Sequence, residues 1–241
     1  LKVDAEKKKA SATVKSTDTS KVKTDKTDSA FVKIYSEANE LIRTMKVKAD
    51  SDFNRNYWGF EMKGNRQPGS AKPKKGDREP GGMDVFPGTY KLVVELGDEK
   101  DSAMLIVKPD PQVPANKELY DAKMAAVKRL NKSNDKLVEI TDQLTEAEET
   151  ISKVEASLKN IETPEADSLR KTGRAMTDSI KNIRNFILGK PLEKQGYGRP
   201  YEETPIRRIQ EARSSVTGKD KIPAAQEFAL IEMAESRVAE A

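Results

Sequence analysis

Apolar and polar side chains alternate with a period of two along five short runs between residues 31 and 108. Such alternation is typical of strands with one buried and one solvated face. In the second run, for example, Leu41, Met45 and Val47 share one face. No helical segment separates the runs, so we expect an antiparallel β-sandwich of roughly a hundred residues. The runs are FVKIYS (31–36), LIRTMKVK (41–48), RNYWGFEMK (55–63), TYKLVVEL (89–96) and SAMLIVK (102–108).

The third run holds the only tryptophan of the chain, Trp58. A strand over Arg55 to Glu61 would place Trp58 and Phe60 on one face, and this face is predicted to fill the sandwich core. Tyr57 falls on the opposite, polar face, and no second exposed aromatic is expected beside it. The preceding segment, Asp50 to Asn54, is predicted to be a turn because Asn and Asp tolerate unusual backbone angles.

One long segment, Gly64 to Pro87, interrupts the alternating runs. It is rich in Gly, Pro, Lys and Arg, so neither a strand nor a helix is expected in it. Loops of this length are usually functional or disordered. We call this segment the basic loop, and its charge could attract an acidic partner.

After residue 114 the hydrophobic period becomes helical. An apolar residue recurs at every seventh position in an a/d heptad seam over 119–161, and a helix of that length would span roughly 64 Å. The polar stretch Asn131 to Asn134 could break or kink it. Three further helices are predicted after Thr163-Pro164, Thr204-Pro205 and Ile222-Pro223, because proline suits the first turn of a helix. The seam residues are Leu130, Leu137, Leu144, Ile151 and Leu158.

The second, third and fourth helices together are about long enough to cover the first, so we expect an antiparallel bundle closed on itself. This packing predicts a monomer, and the alternative is a coiled coil that binds a partner. The predicted organisation is a polar tail or first edge strand over 1–29, a β-sandwich over 30–109, a stiff linker over 110–114 and a helical bundle over 115–241.

Composition excludes several classes of chemistry. The chain has no cysteine and no histidine, so disulfides, thiolate metal sites, Ser-His-Asp triads and imidazole catalysis are ruled out. The 44 Lys+Arg and 40 Asp+Glu residues give a net charge of +4, spread over both signs, so no nucleic-acid partner is expected. No apolar run approaches a membrane span. The opening LKVDAEKKKA leads us to expect a processed chain or a fragment of a longer one.

The sequence contains three candidate sites. Asp50 to Glu61 has much of the ligand spacing of an EF-hand calcium loop, but Arg55 stands where that loop needs glycine. Tyr57 is the weak candidate for stacking on a sugar. Glycosidases need two facing carboxylates, and no pair lies in a recognisable cleft. We therefore predict no metal, no cofactor and no catalytic residue.

Three motifs occur in this order along the β region: the strand–turn–strand VKIYSEANELIRTMKV, the FNRNYW that opens the next run, and PGTYKLVV. They resemble the small Ig-like module near the C-terminus of large exported Bacteroidetes-type proteins. Those proteins carry sortilin-like or BNR-repeat β-propellers and are commonly labelled glycosyl hydrolases. The helical region GRPYEETPIRRIQEARSSV is also similar. The matching residues are Asn54, Arg55, Trp58, Pro87, Gly88 and Tyr90, whereas Asp52 and Gly59 depart from the family pattern.

The resemblance implies an α+β multidomain chain: an N-terminal antiparallel Ig-like β-sandwich followed by an antiparallel α-helical bundle with one very long helix. It also implies an exported bacterial protein in the periplasm, outer membrane or cell surface. The expected function is a non-catalytic accessory region that supports or docks a β-propeller of the same parent chain. The alternatives are a carbohydrate-binding module with a glycan as partner, or part of a glycoside hydrolase acting on polysaccharide.

Overall fold

The structure is a computed structural model that describes residues 29–50, 53–74, 76–191 and 202–241. Residues 1–28 of the predicted polar tail or first edge strand lie outside the described residues, and Ser29 begins the first strand. The described part combines antiparallel sheets with four helices. The chain is therefore of the α+β class, as predicted.

Four strands form one antiparallel sheet in the order β2-β1-β5-β6. Four of the five alternating runs supply these strands. A second, two-stranded antiparallel sheet pairs β3 with β4. The strands are β1 (Ser29–Tyr35), β2 (Leu41–Lys48), β3 (Glu61–Lys63), β4 (Gly81–Asp84), β5 (Gly88–Leu96) and β6 (Glu99–Val107).

The inner face of the larger sheet follows from alternation in β1. Val32 and Ile34 are buried there, and across the strand pair they stand opposite Met45 and Arg43. A register shift between Ile34 and Tyr35 corrects one prediction in β2. Because of this shift Leu41 points to solvent, and Ile42 takes its place in the core.

The RNYWGFEMK run does not form the predicted strand. Residues 53–60 contain no regular strand, and β3 begins at Glu61. Phe60 has a φ of 57°, a left-handed conformation that a bulky side chain rarely adopts, so the extended alternation stops there. Trp58 still packs against the sheet core, but Phe60 is 48% exposed, and the prediction that it lies in the core is wrong.

Strand β4 corrects the prediction that the basic loop contains no strand. Its pairing with β3 brings two backbones very close together at glycine. A Cβ placed on Gly82 would lie 2.8 Å from the Met62 carbonyl oxygen, so any larger residue would push the strands apart. The glycines that argued against a strand are what permits this one.

The first helix is continuous across its polar stretch. The helices are α1 (Lys117–Leu158), α2 (Pro164–Leu188), α3 (Pro205–Thr217) and α4 (Ala225–Ala239). With 42 residues, α1 is about 63 Å long at 1.5 Å per residue. Asn116 caps α1. Thr163 caps α2 and Thr204 caps α3, and these two helices have a proline in the first turn.

The helical core lies around the middle of α1. Leu130 and Leu137 are fully buried there against Ile187, Ile209 and Ile231 of the other three helices. Because α3 and α4 have 13 and 15 residues, they span only about 20 to 23 Å. Among the described helices, the far end of α1 therefore packs against α2 alone.

The α1–α2 tip is our name for this far end, over residues 150–178. Apolar side chains on both of its helices are solvent-exposed. Leu169 and Met176 stand at helical spacing from the buried Ile180 and Ile187, but half of each is exposed because no third helix of the described residues reaches them. The exposed apolar residues of the tip are Val154, Ile161, Leu169 and Met176.

Candidate functional site

Two residues from separate sequence motifs meet at the sheet core. The rings of Trp58 and Tyr90 stand edge to face with centroids 5.7 Å apart. The Trp58 indole N–H donates to the Glu61 carbonyl at 2.9 Å, which fixes the ring. Burial raises the pKa of the Tyr90 hydroxyl, and this hydroxyl donates to the Phe86 carbonyl. That bond spans Pro87 and Gly88, so the PGTY motif serves as a fixed corner at the start of β5.

Asn54 holds the loop before β3 in place. Its side chain accepts from the Asp50 backbone N–H and donates to the Asp50 carbonyl, both at 2.9 Å. Arg55 beside it is exposed. The structure thus places Asn54 and Arg55 on a surface loop, apart from the Trp58–Tyr90 contact.

Tyr57 is exposed as predicted, but it does not stand alone. Tyr57 is 80% exposed and Phe53 is 84% exposed, on the same loop as the half-exposed Phe60. We call these three residues the aromatic loop. The expectation of no second exposed aromatic is wrong, because Phe53 and Phe60 are both exposed. The rings of Trp58 and Phe60 are in contact, with centroids 5.4 Å apart. This contact supports the loop on the side that faces the sheet core.

Arg43 is a structural residue that was not predicted. It is buried and donates to the Met62 and Glu79 carbonyls, each at 3.0 Å. Its guanidinium also lies 3.3 Å from the Glu61 carboxylate. A signal was present in the sequence, since the alternation that puts Met45 inward puts an arginine on the same apolar face. Arg43 engages the carboxylate of Glu61 that would have closed a calcium loop.

The acidic partner of the basic loop is helix α1 of the same chain. Asn65 donates to the Asp135 carboxylate at 2.5 Å, and Arg66 pairs with Asp142 one heptad later. Lys72 lies 2.6 Å from Glu146 and 3.9 Å from Asp142. Two basic side chains of the loop, Arg66 and Lys72, thus lie against carboxylates along the helix.

Buried polar residues of α1 complete this contact. The Asn134 amide donates to the Arg66 carbonyl at 2.8 Å, and the Gly69 backbone N–H donates to the Thr141 hydroxyl at 3.0 Å. Asn134 and Thr141 are also seven residues apart, next to the apolar seam. Because buried polar groups are stable when hydrogen-bonded, the polar stretch does not break the helix. This polar stretch and Thr141 form the surface of α1 on which the basic loop packs.

The described residues contain no group of three or more acidic side chains arranged to hold a metal ion. None of the helices in the described ranges has the length and apolar character of a membrane span. Comparisons with protein-family models, with curated proteins and with solved structures found no match. The function of this chain must therefore be inferred from its own residues.

Proposed function

We propose that this chain is a non-catalytic accessory region of a larger exported protein, in which it supports or docks a β-propeller. The observation that carries the proposal is the contact of the basic loop with α1. This contact joins the sheets to a helix about 63 Å long through two ion pairs and two partly buried hydrogen bonds. A stiff connection of this kind suits a spacer that holds a neighbouring domain in position.

The proposal also covers the architecture of the sheets and the helices. We assign the sheets to an Ig-like β-sandwich and the helices to an antiparallel bundle. The hydroxyl bond of Tyr90 to the carbonyl four residues upstream supports the first assignment, because a tyrosine corner near the start of a strand is a hallmark of Ig-like domains. The contacts of α1 with all three other helices support the second.

The α1–α2 tip is the docking surface in this proposal. Its exposed apolar side chains lie far from the sheets, at the end of the chain's longest element. Contiguous exposed apolar patches commonly mark sites of protein–protein contact. A propeller held there would cover side chains that are otherwise costly to expose.

A binding assay between separately expressed parts tests this proposal. The reading frame upstream of Leu1 would be expressed as one protein, and the present chain as a second. We expect the two to co-purify, and Leu169→Lys with Met176→Lys to abolish the association. Phe53→Ala with Tyr57→Ala serves as the matched surface control and should bind normally. Absence of propeller repeats upstream, or equal binding by both double variants, would refute the proposal.

Carbohydrate binding is the second candidate, and the aromatic loop favours it. Exposed aromatic rings provide flat apolar faces with a polar edge, on which a sugar ring can stack. This function predicts retention of the chain on a glycan array and loss of that retention in the Phe53→Ala/Tyr57→Ala variant. The Leu169→Lys/Met176→Lys variant should keep glycan binding. Turnover of aryl glycosides by the chain would support the hydrolase alternative instead.

A further inference from the structure

The four-stranded sheet has an outer face, opposite the buried Val32 and Ile34. The strand register fixes which side chains share it, because residues paired across antiparallel strands point to the same face. From Phe31 and Lys33 of β1, the pairing runs to β2 on one side and through β5 to β6 on the other. Every lysine of the four strands lies on this face, which we call the lysine face. These residues are Lys33, Lys46, Lys48, Lys91 and Lys100.

The lysine face has few acidic side chains. Glu95 is the only carboxylate of the four strands that lies on it, and Lys33 and Lys100 contact this carboxylate at 2.7 and 3.0 Å. The other acidic residues of these strands, Glu99 and Asp101, alternate to the opposite face. The whole chain has 44 Lys+Arg against 40 Asp+Glu, so five lysines with one glutamate depart from the general balance of charge.

Two of these lysines have no carboxylate partner among the described residues. Lys46 and Lys91 are exposed, and no described Asp or Glu lies within ion-pair distance of either. Lys48 differs, because Asp50 just beyond β2 lies 2.8 Å from it. Like charges on neighbouring strands weaken a sheet. An anionic partner on the lysine face would offset this repulsion.

Aliphatic side chains protrude from the lysine face along β6. Met104 is 66% exposed and Ile106 is 67% exposed, and Met104 stands opposite Lys91 of β5. The aromatic rings of the face, Phe31 and Tyr35, are more covered. Stacking on a sugar or on a nucleic-acid base needs an exposed ring. The protruding side chains of this face therefore suit contact with hydrocarbon instead.

We propose that the lysine face binds the surface of a bilayer that contains anionic lipids. The lysine ammonium groups lie at the level of the headgroup phosphates in this complex, and Met104 and Ile106 enter the boundary between headgroups and acyl chains. Interfacial membrane binding gains strength from buried apolar area and from attraction to anionic lipids together. Lysine suits a fluid lipid surface because its flexible stem carries a point charge, whereas bidentate recognition of one phosphate favours arginine. The lysine face shares no residue with the α1–α2 tip or the aromatic loop, so membrane binding and propeller docking can be tested separately.

Co-sedimentation of the full chain with lipid vesicles tests the proposal. One set of vesicles is pure phosphatidylcholine, and the other also contains phosphatidylglycerol. We expect binding to the anionic vesicles alone, and weaker binding at high salt because exposed charges are screened. Each lysine near an anionic surface contributes about fivefold to the affinity, so Lys46→Gln with Lys91→Gln should weaken binding about tenfold or more. Lys132→Gln with Lys171→Gln removes the same charge from exposed positions on α1 and α2 and should bind as the parent chain does.

Met104→Thr with Ile106→Thr tests the apolar contribution. Threonine has a high strand propensity, so circular dichroism should show an intact fold, while vesicle binding falls and its salt dependence stays. Leu169→Gln with Met176→Gln removes exposed apolar surface from the α1–α2 tip and serves as the matched control, with unchanged vesicle binding.

Four results would overturn the proposal. They are equal binding to the two kinds of vesicle, equal binding by the two double lysine variants, and full binding by the double threonine variant. The fourth is binding of oligothymidylate as tight as that of the anionic vesicles, which would assign the lysine face to nucleic acid.

Discussion

Thr141→Val tests the contact between the basic loop and α1 with the smallest possible change. Thr141 is 1% exposed, and its hydroxyl accepts from the Gly69 N–H and donates to the Val138 carbonyl, both at 3.0 Å. Valine has nearly the same shape but cannot accept a hydrogen bond. The Gly69 N–H would then lose its acceptor in this partly buried hydrogen bond.

The net contribution of a typical hydrogen bond is about 0.5 to 1.5 kcal/mol, and this range is the expected loss in the free energy of unfolding. The Val138 carbonyl has its helical partner in any case, so little is added from that side. Urea denaturation followed by circular dichroism measures the loss, and hydrogen exchange of the Gly69 amide should accelerate.

Thr150→Val is the matched control on the same helix. The Thr150 hydroxyl also donates to a helix carbonyl, that of Glu146, but it is exposed and has no contact with the loop. This variant should change stability by less than about 0.5 kcal/mol. Equal losses for the two variants would refute the claim that Thr141 anchors the basic loop.

Two further predictions concern buried charge. Arg43→Met leaves the Glu79 carbonyl without its donor and should cost about 2 to 4 kcal/mol in urea denaturation, whereas the exposed Arg55→Met should cost almost nothing. Glu227 caps α4, and the hydrogen bond from Lys219 is the main reason that its pKa falls from 4.5 to about 2. A lowered pKa stabilises the fold above pH 4.5 and loses that effect as the pH falls towards 2. Glu227→Gln should therefore flatten the decline in stability over this window, and an unchanged slope would contradict the assignment.

Alternation predicted β1, β2, β5 and β6. A buried inner face accounts for the pattern in β1, where Val32 and Ile34 are buried, but β6 has no buried residue and exposes Met104 and Ile106. The prediction failed at residues 55–60, which form no strand and end in the left-handed residue Phe60 just before β3. Alternation counts positions and carries no information on the sign of φ. The turn after Tyr35 moved Leu41 outward for a related reason, since a register shift changes which side chain faces the core.

The heptad seam predicted α1 within two to three residues at either end. Whether Asn134 would break the helix could not be decided from its neighbours in the sequence, because its hydrogen-bond partner is the Arg66 carbonyl, 68 residues away. The basic character of the loop suggested that it could attract an acidic partner, but it did not predict a partner within the same chain. That the partner is α1 depends on tertiary packing, which local pattern does not encode. Arg43, in contrast, could have been recognised as a charge on an inward-facing position.

We expect the basic loop to hold the sheets and the helices together as one rigid body. Because the chain has no cysteine, spin labels can be attached without competing thiols. The labelled positions are Ser102→Cys on β6 and Lys153→Cys in the α1–α2 tip. Both positions are exposed. Pulsed electron–electron double resonance should give a single narrow distance distribution between the labels. A broad or bimodal distribution would show that the two parts move independently, and would contradict the claim.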